Sequence, residues 1–362
     1  MAEDTRVGTE VAGYRIERVI GHGGMSVVYL AEHIRLGRNV ALKVLAPQLA
    51  ENEKFRERFL RESKLAASID HPNIVPIYDA DEAGDVLYIA MRHVEGSDLK
   101  TLIKDEGPME PERALAIVTQ VADALDAAHE HGLVHRDVKP ANILIVPPAT
   151  SGGAEHVYLT DFGLTKRALS VSGFTETGQL VGTVDYAAPE QIKGDPVDGR
   201  ADIYSLGCVL FECLTGSVPY PREQEVAVLW AHVQEPPPSV SASRHGLPKE
   251  LDEVVEHAMA KDAAARTESG RALILEMQEA LGLAPARVRR RPRRRVRRRA
   301  LVAGALAALA CVAAVVVWTL VAGGGGGGGP VPGPDTVARI DAGSRAFDKV
   351  VEVGVEDRKS VV

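Results

Sequence analysis

From Ala300 to Ala322 the chain runs for 23 residues without a charge, rich in Ala, Val and Leu, with Trp318 near the far end. At about 1.5 Å of rise per residue, a helix of this length covers the roughly 30 Å hydrocarbon core of a bilayer. Ten arginines lie between Arg287 and Arg299, and seven glycines, Gly323 to Gly329, follow the stretch. Neither flank offers a domain in which a soluble helix of small residues would be buried, so the sequence predicts one transmembrane helix at 300–322. Arginine is retained on the cytoplasmic side, which predicts a single-pass protein of the cell membrane with residues 1–299 cytoplasmic and the C-terminus extracytoplasmic. The start, MAEDTRVGTEVAGYRIERV, has no apolar stretch behind a basic segment, so no signal peptide is visible.

The formal net charge of −8 conceals two opposed regions. Residues 1–286 carry 44 of the 50 acidic residues but only 27 of the 42 basic ones, which argues against nucleic acid as a partner. The Arg-rich juxtamembrane segment, 284–299, is predicted instead to lie against anionic membrane lipids, where each arginine contributes about 1 kcal/mol. Cys208, Cys213 and Cys311 form neither a disulfide framework nor a metal-ligand spacing. The first two fall in an apolar helical run, IYSLGCVLFECL, and read as core. Past the span, 323–334 is a Gly/Pro linker without packing side chains. The tail, 335–362, is too short for an ordinary independent core. Its stretch TVARIDAGSRAFDKVVEVGV alternates like two short strands around a Gly-Ser turn and resembles one repeat of a β-propeller. It reads either as a disordered stub or as a fragment of a longer sensor.

Between an N-terminal tail, 1–10, and residue 283 the patterning changes once. Strand-like runs (YRIERVI, SVVYLAEHI, VALKVLA, VLYIAMRHV) come first, and long helical patterns follow residue 110. Strands first and helices later predict an α+β fold, a sheet-bearing lobe joined to a helical one. In RALAIVTQVADALDAAHEHG, Leu115, Val118, Val121 and Leu125 recur at helical spacing, and Gly132 suits the helix end. GHGGMSVV, with Gly21, Gly23 and Gly24, lies between two strand runs and predicts a hairpin turn that can cover a phosphate without side-chain obstruction. In KFRERFLRESKLAASI the apolar face carries Phe55, Phe59, Ala66 and Ile69, and Glu62 falls on that same face. A carboxylate facing the core needs a cation, and Lys43 on the preceding strand is the expected partner.

HRDVKPAN, His135 to Asn142, is followed by DFG at Asp161 to Gly163. With GHGGMS, VALK, HPNIV, GT before AAPE, DIYSLG and the late arginine of AKDAAAR in one order, residues 11–283 resemble the eukaryotic-type (Hanks) serine/threonine protein kinases of bacteria. The resemblance implies a two-lobed protein kinase fold, a small β-rich N-lobe and a large helical C-lobe, and transfer of the ATP γ-phosphate to Ser/Thr hydroxyls of protein substrates. It implies that Lys43, oriented by Glu62, holds the α and β phosphates, and that Asn142 and Asp161 bind Mg²⁺, with Mn²⁺ as an alternative ion. Asp137 is then the base for the substrate hydroxyl and Lys139 the charge beside the transferring phosphate, while Thr183 supports the substrate loop. Adenine is expected between Ile20, Val28 and Ala41 above and Leu144 below. Backbone bonds from Arg92 to Val94 would hold it, with Met91 guarding the back pocket. Asp202 is expected to brace the catalytic loop and Arg266 to pair with Glu190. The third glycine of the phosphate loop is replaced by Ser26, and Arg92 and His93 stand where acidic and aromatic residues are usual.

Thr175 and Thr177 sit in a polar stretch between DFG and AAPE. A phosphate there adds roughly −1.5 to −2 charges, and Arg136 is a local cation to capture it, so autophosphorylation at these threonines is predicted. A homodimer through the span or tail would bring two kinase domains together for it. The alternative from another class, an ATP-binding pseudokinase scaffold at the membrane, is disfavoured by the intact Lys43, Glu62, Asp137, Asn142 and Asp161. A small-molecule phosphotransferase is disfavoured by the threonine-bearing segment and AAPE.

Overall fold

The computed structural model describes residues 5–84, 86–148, 150, 152–162 and 184–283, together with the backbone of 336–340 and 347–352. The predicted span, the arginine run and the linker lie outside the described residues, as do Gly163, Thr175, Thr177 and Thr183. Among the described residues no helix is long and apolar enough to cross a membrane. The chain divides into two units, residues 1–286 and 287–362.

The first unit opens with six antiparallel strands in the order β1-β2-β3-β4-β6-β5. They are β1 (Glu10–Val11), β2 (Tyr14–Gly23), β3 (Ser26–His33), β4 (Arg38–Leu45), β5 (Ile77–Ala83) and β6 (Val86–Arg92). Four of the strand-like runs fall on β2, β3, β4 and β6. The outer face of the sheet has its own core of Tyr14, Ile16, Tyr29, Leu42 and Tyr88. Its inner face packs through Leu45, Leu87 and Ile89 on a larger core that continues into the helical lobe. After β4 come α1 (Pro47–Ala50) and α2 (Glu53–Ala67), the latter started by Asn52, whose side chain accepts from the Phe55 N–H. Phe55, Phe59, Glu62, Ser63 and Ala66 are its buried positions, so the amphipathic reading of this helix holds.

The helical lobe begins with β7 (Ser97–Asp98) and α3 (Leu99–Glu106), capped by Asp98, and continues with α4 (Pro111–Glu130). A small sheet, β7 with β8 (Ile143–Val146) and β9 (His156–Leu159), lies beside α4. Gly96 lets the backbones meet there, since a Cβ would stand 2.2 Å from the Ile145 carbonyl oxygen. Then follow α5 (Pro189–Lys193), α6 (Arg200–Thr215), α7 (Glu225–Gln234), α8 (Val240–Ser243), α9 (Glu250–Ala258) and α10 (Gly270–Ala280). Helix α6 is buried from Ala201 to Leu214, and Cys208 and Cys213 are core residues on it. In the second unit β10 (Thr336–Ile340) and β11 (Phe347–Glu352) pair antiparallel, Val337 opposite Val351, which agrees with the two short strands expected of the tail.

Candidate active site

The helical lobe presents a loop, His135 to Asn142, whose backbone is fixed from below. Arg136 has φ of 66° and Asp161 of 60°, left-handed values at non-glycine residues flanking the site. Such backbone costs on the order of 1–3 kcal/mol and persists only when neighbours hold it. Asp202 on α6, fully buried, is the main support: one oxygen accepts from His135 N at 2.8 Å and the other from Arg136 N at 2.7 Å. The Arg136 carbonyl in turn accepts from Gln191 Nε2 at 2.9 Å. The bracing expected of Asp202 is therefore what the structure places. His129 near the end of α4, which no motif marks, also bonds Asp202, Nε2 to Oδ2 at 2.7 Å.

His135 is fully buried, and burial pushes its pKa down, so the imidazole is neutral. Its Nδ1 accepts from the Asp137 N–H at 3.2 Å, which puts the ring proton on Nε2, donated to the Thr160 carbonyl at 3.0 Å. One ring thus ties the loop before Asp137 to the residue before Asp161, and it packs on Phe162 with centroids 4.7 Å apart. Lys139 Nζ donates to Asp137 Oδ2 at 2.8 Å, and Asn142 Nδ2 donates to the Asp137 carbonyl at 2.8 Å and to Oδ2 at 3.1 Å. With its amide nitrogen so used, Asn142 has its carbonyl oxygen as the donor for a cation. With the Asp161 carboxylate it supplies the hard oxygen ligands that suit Mg²⁺.

Lys43 corrects one expectation. Its Nζ bonds Asp161 Oδ1 at 2.8 Å, and a Lys43–Glu62 pair is not among the ion pairs of the described residues. Glu62 is buried, 3% exposed, on the inward face of α2 as expected. The periodicity located the carboxylate, while the lysine, on a flexible stem, pairs with the acid across the cleft.

The cleft holds a cavity of about 50 Å³, lined by Lys43, Met91, Asp137 and Asp161 and closed by Phe59 and Leu159. It is the inner end of the cleft. Of the remaining adenine residues, Ala41 is a buried member of the same apolar cluster as Met91, and Val28, Val94 and Leu144 pack half-buried against it. Ile20 is 37% exposed at the mouth, and none of these five lines the inner cavity. Ala41 faces Met91, and Val28 faces Lys43, in adjacent strands. The glycine turn forms as predicted, with Gly21 opposite Val28 and Gly23 opposite Ser26. A Cβ on Gly23 would stand 3.0 Å from Ser26 Oγ, whereas one on Gly21 would meet nothing closer than 3.7 Å. Folding alone therefore does not demand glycine at position 21. Away from the cleft, Arg266 binds Glu190 through two guanidinium nitrogens at 2.6 and 2.7 Å, the pairing expected of them.

Known proteins with this arrangement agree in family. The protein kinase domain family model matches residues 14–278. Serine/threonine-protein kinase PknD of Mycobacterium tuberculosis is 45% identical over 277 residues, 76% of this chain and 41% of that protein. PknH of Mycobacterium bovis is 44% identical over 280 residues, 77% of this chain and 46% of that protein. The chain thus spans less than half the length of these curated relatives. The crystal structure of the Mycobacterium tuberculosis PknI kinase domain matches with a TM-score of 0.62 at 36% identity, covering 76% of this chain and 100% of that one. With the family's model matching residues 14–278 and the two-lobed frame and catalytic loop built from its motifs, the chain belongs to the protein kinases, among the Hanks-type enzymes of bacteria.

Proposed function

We propose that this chain is a serine/threonine protein kinase that transfers the γ-phosphate of ATP to protein hydroxyls. The observation that carries the reading is the convergence of Asp137, Lys139, Asn142, Asp161 and Lys43 on one cleft, held by a strained loop that Asp202 fixes. Phosphoryl transfer asks little covalent work of a protein, so positioning and charge carry the rate. Asp137 accepts the proton of the substrate hydroxyl as its oxygen bonds phosphorus; the bond from phosphorus to the β-phosphate oxygen breaks, and ADP leaves. Lys139, on Asp137 Oδ2, lies beside the reacting hydroxyl and offsets the charge on the transferring group. Lys43 holds the α and β phosphates. Mg²⁺, when held by Asn142 and Asp161, supplies further neutralisation of phosphate charge.

With Lys43 on Asp161, the arrangement is a resting one, and we read the exchange of Lys43 from Asp161 to Glu62 as the step that readies the cleft. Autophosphorylation at Thr175 or Thr177 is the proposed trigger, supported by the threonine pair between DFG and AAPE and by Arg136 in the loop. The uncharged stretch 300–322 behind ten arginines supports a single-pass membrane protein with the kinase domain cytoplasmic, the arginines against anionic lipid and a dimer formed through span or tail.

The test is incubation with radiolabelled ATP and Mg²⁺, beside Asp137→Asn and Lys43→Ala, followed by phosphoamino-acid analysis and phosphopeptide mapping. Phosphoserine or phosphothreonine that vanishes in both variants is the expected result. Bound ATP with no labelled protein would overturn the assignment, and full activity with Thr175 and Thr177 unmodified would overturn the trigger.

A further inference from the structure

Arg92 ends β6 in the sheet lobe, immediately after Met91, and its backbone N–H donates to the Pro76 carbonyl at 3.0 Å. Its side chain leaves the nucleotide side and crosses to the helical lobe. Nη1 donates to Tyr158 Oη on β9 at 2.9 Å, and the guanidinium carbon lies 5.1 Å from the centroid of the same ring. Tyr158 is held in turn by His156, edge-on with centroids 4.5 Å apart, whose Nε2 bonds the Pro72 carbonyl at 2.9 Å.

Inside this contact runs a seam of backbone bonds between the segment after α2 and β9. Leu159 N donates to the Asn73 carbonyl at 2.7 Å, and Val75 N donates to the Leu159 carbonyl at 3.0 Å. Asn73 Nδ2 adds bonds to the Val157 carbonyl at 2.9 Å and to Gln120 Oε1 on α4 at 3.0 Å. The inner seam is buried, Ile74 being 3% and Leu159 0% exposed, whereas Arg92 is exposed. Arg92 lies over one face of Tyr158, itself 9% exposed, so the outermost stitch breaks and remakes at the cost of one ring face, far less apolar surface than opening the inner seam would uncover.

We infer that Arg92 and Tyr158 form a reversible latch across the back of the two lobes, making Arg92 a positioning residue that restrains lobe opening and so slows nucleotide release. The two lobes carry the two walls of the cleft, with Lys43 on one and Asp137 and Asp161 on the other, so rotation about the seam opens the nucleotide's path. The cation over a ring and the single hydrogen bond set the scale: losing them speeds opening by about threefold to tenfold. Arginine at position 92, where an acidic residue is usual in the family it resembles, then has a local reason, because a carboxylate can accept from a tyrosine hydroxyl but has no positive charge to set over the ring face.

The inference about release rests on the reading of the cleft as a nucleotide site, so the test has two arms on the full chain carrying Tyr158→Phe, Arg92→Met or both. In the nucleotide-free protein, hydrogen exchange at the Val75 and Leu159 amides reads the seam directly. In the second arm, stopped-flow dissociation of a fluorescent ADP analogue reads release. The expected result is faster exchange and about threefold faster release in Tyr158→Phe, which loses the bond but keeps the ring. Arg92→Met exceeds it, and the double variant matches Arg92→Met, since two halves of one contact do not add. Thermal stability stays close to the parent, which separates a latch from a structural prop. Unchanged exchange overturns the latch, and faster exchange with unchanged release overturns its control of the nucleotide. Failure of the parent to bind the analogue would overturn the nucleotide reading, with the exchange arm still deciding the latch.

Discussion

Replacing Glu190 by glutamine keeps the shape of the side chain and removes its charge, and the structure sets how much that matters. Glu190 lies in the first turn of α5, and the Arg266 side chain it faces is 0% exposed. The guanidinium spends two nitrogens on Glu190 and also donates from Nε to the Ala260 carbonyl at 2.7 Å and from Nη1 to the Arg200 carbonyl at 3.0 Å. Arg266 therefore cannot swing to water without breaking its other bonds, and Glu190→Gln leaves it buried beside a neutral amide. Removing one partner of such a pair costs about 3–5 kcal/mol. For a domain of this size about 2 °C accompanies each kcal/mol, so the melting temperature is expected to fall by roughly 6–10 °C. Thermal unfolding followed by circular dichroism measures it, with Glu190→Gln/Arg266→Met as a companion. The companion removes the stranded charge along with its partner, so it is expected to be less destabilised than the sum of the single variants. A fall below about 2 °C in Glu190→Gln would refute the view that this pair holds the helical lobe together behind the cleft.

His129→Leu removes one donor from the buried Asp202 carboxylate, and His129→Gln can restore it. Phosphorylation kinetics are expected to show kcat lowered about tenfold in the first with KM for ATP unchanged, and most of the loss recovered in the second; equal kcat in both variants and parent would sink the assignment. His232 is fully buried, and burial pushes it down to about 4, with Tyr204 Oη on its Nδ1 at 2.9 Å and Lys261 beyond, bonded to the Tyr204 and Tyr220 hydroxyls. Because the native state keeps this ring neutral while the unfolded chain protonates it near pH 6.5, stability is full above pH 6.5 and falls toward pH 4, by on the order of 3 kcal/mol. Urea unfolding across that range is expected to show a shallower decline in His232→Gln, and identical slopes would count against it.

What could be read from the sequence and what could not divide along physical lines. The helix face that buries Glu62, the strands around the glycine turn, and the buried Cys208 and Cys213 are local consequences of periodicity, and the sequence carries them. Strand β5 escaped because IYDADEA alternates with acids that face solvent, leaving little apolar signal. The motifs named Asp202, since aspartate in DIYSLG has one role in that setting. They could not name His129, because a histidine in an Ala-rich helix looks like any other until α6 is folded against it. Lys43 marks the limit most sharply. Its position on β4 is fixed by sequence, but its partner is a choice between Glu62 on α2 and Asp161 across the cleft. The periodicity that turns Glu62 inward and the motif that supplies Asp161 are separate signals, and neither carries the distance from the lysine to its acid. A sequence specifies both alternatives at once. The choice is settled only in three dimensions, where β4 brings the Lys43 ammonium to the carboxylate of Asp161 at the end of the helical lobe's small sheet.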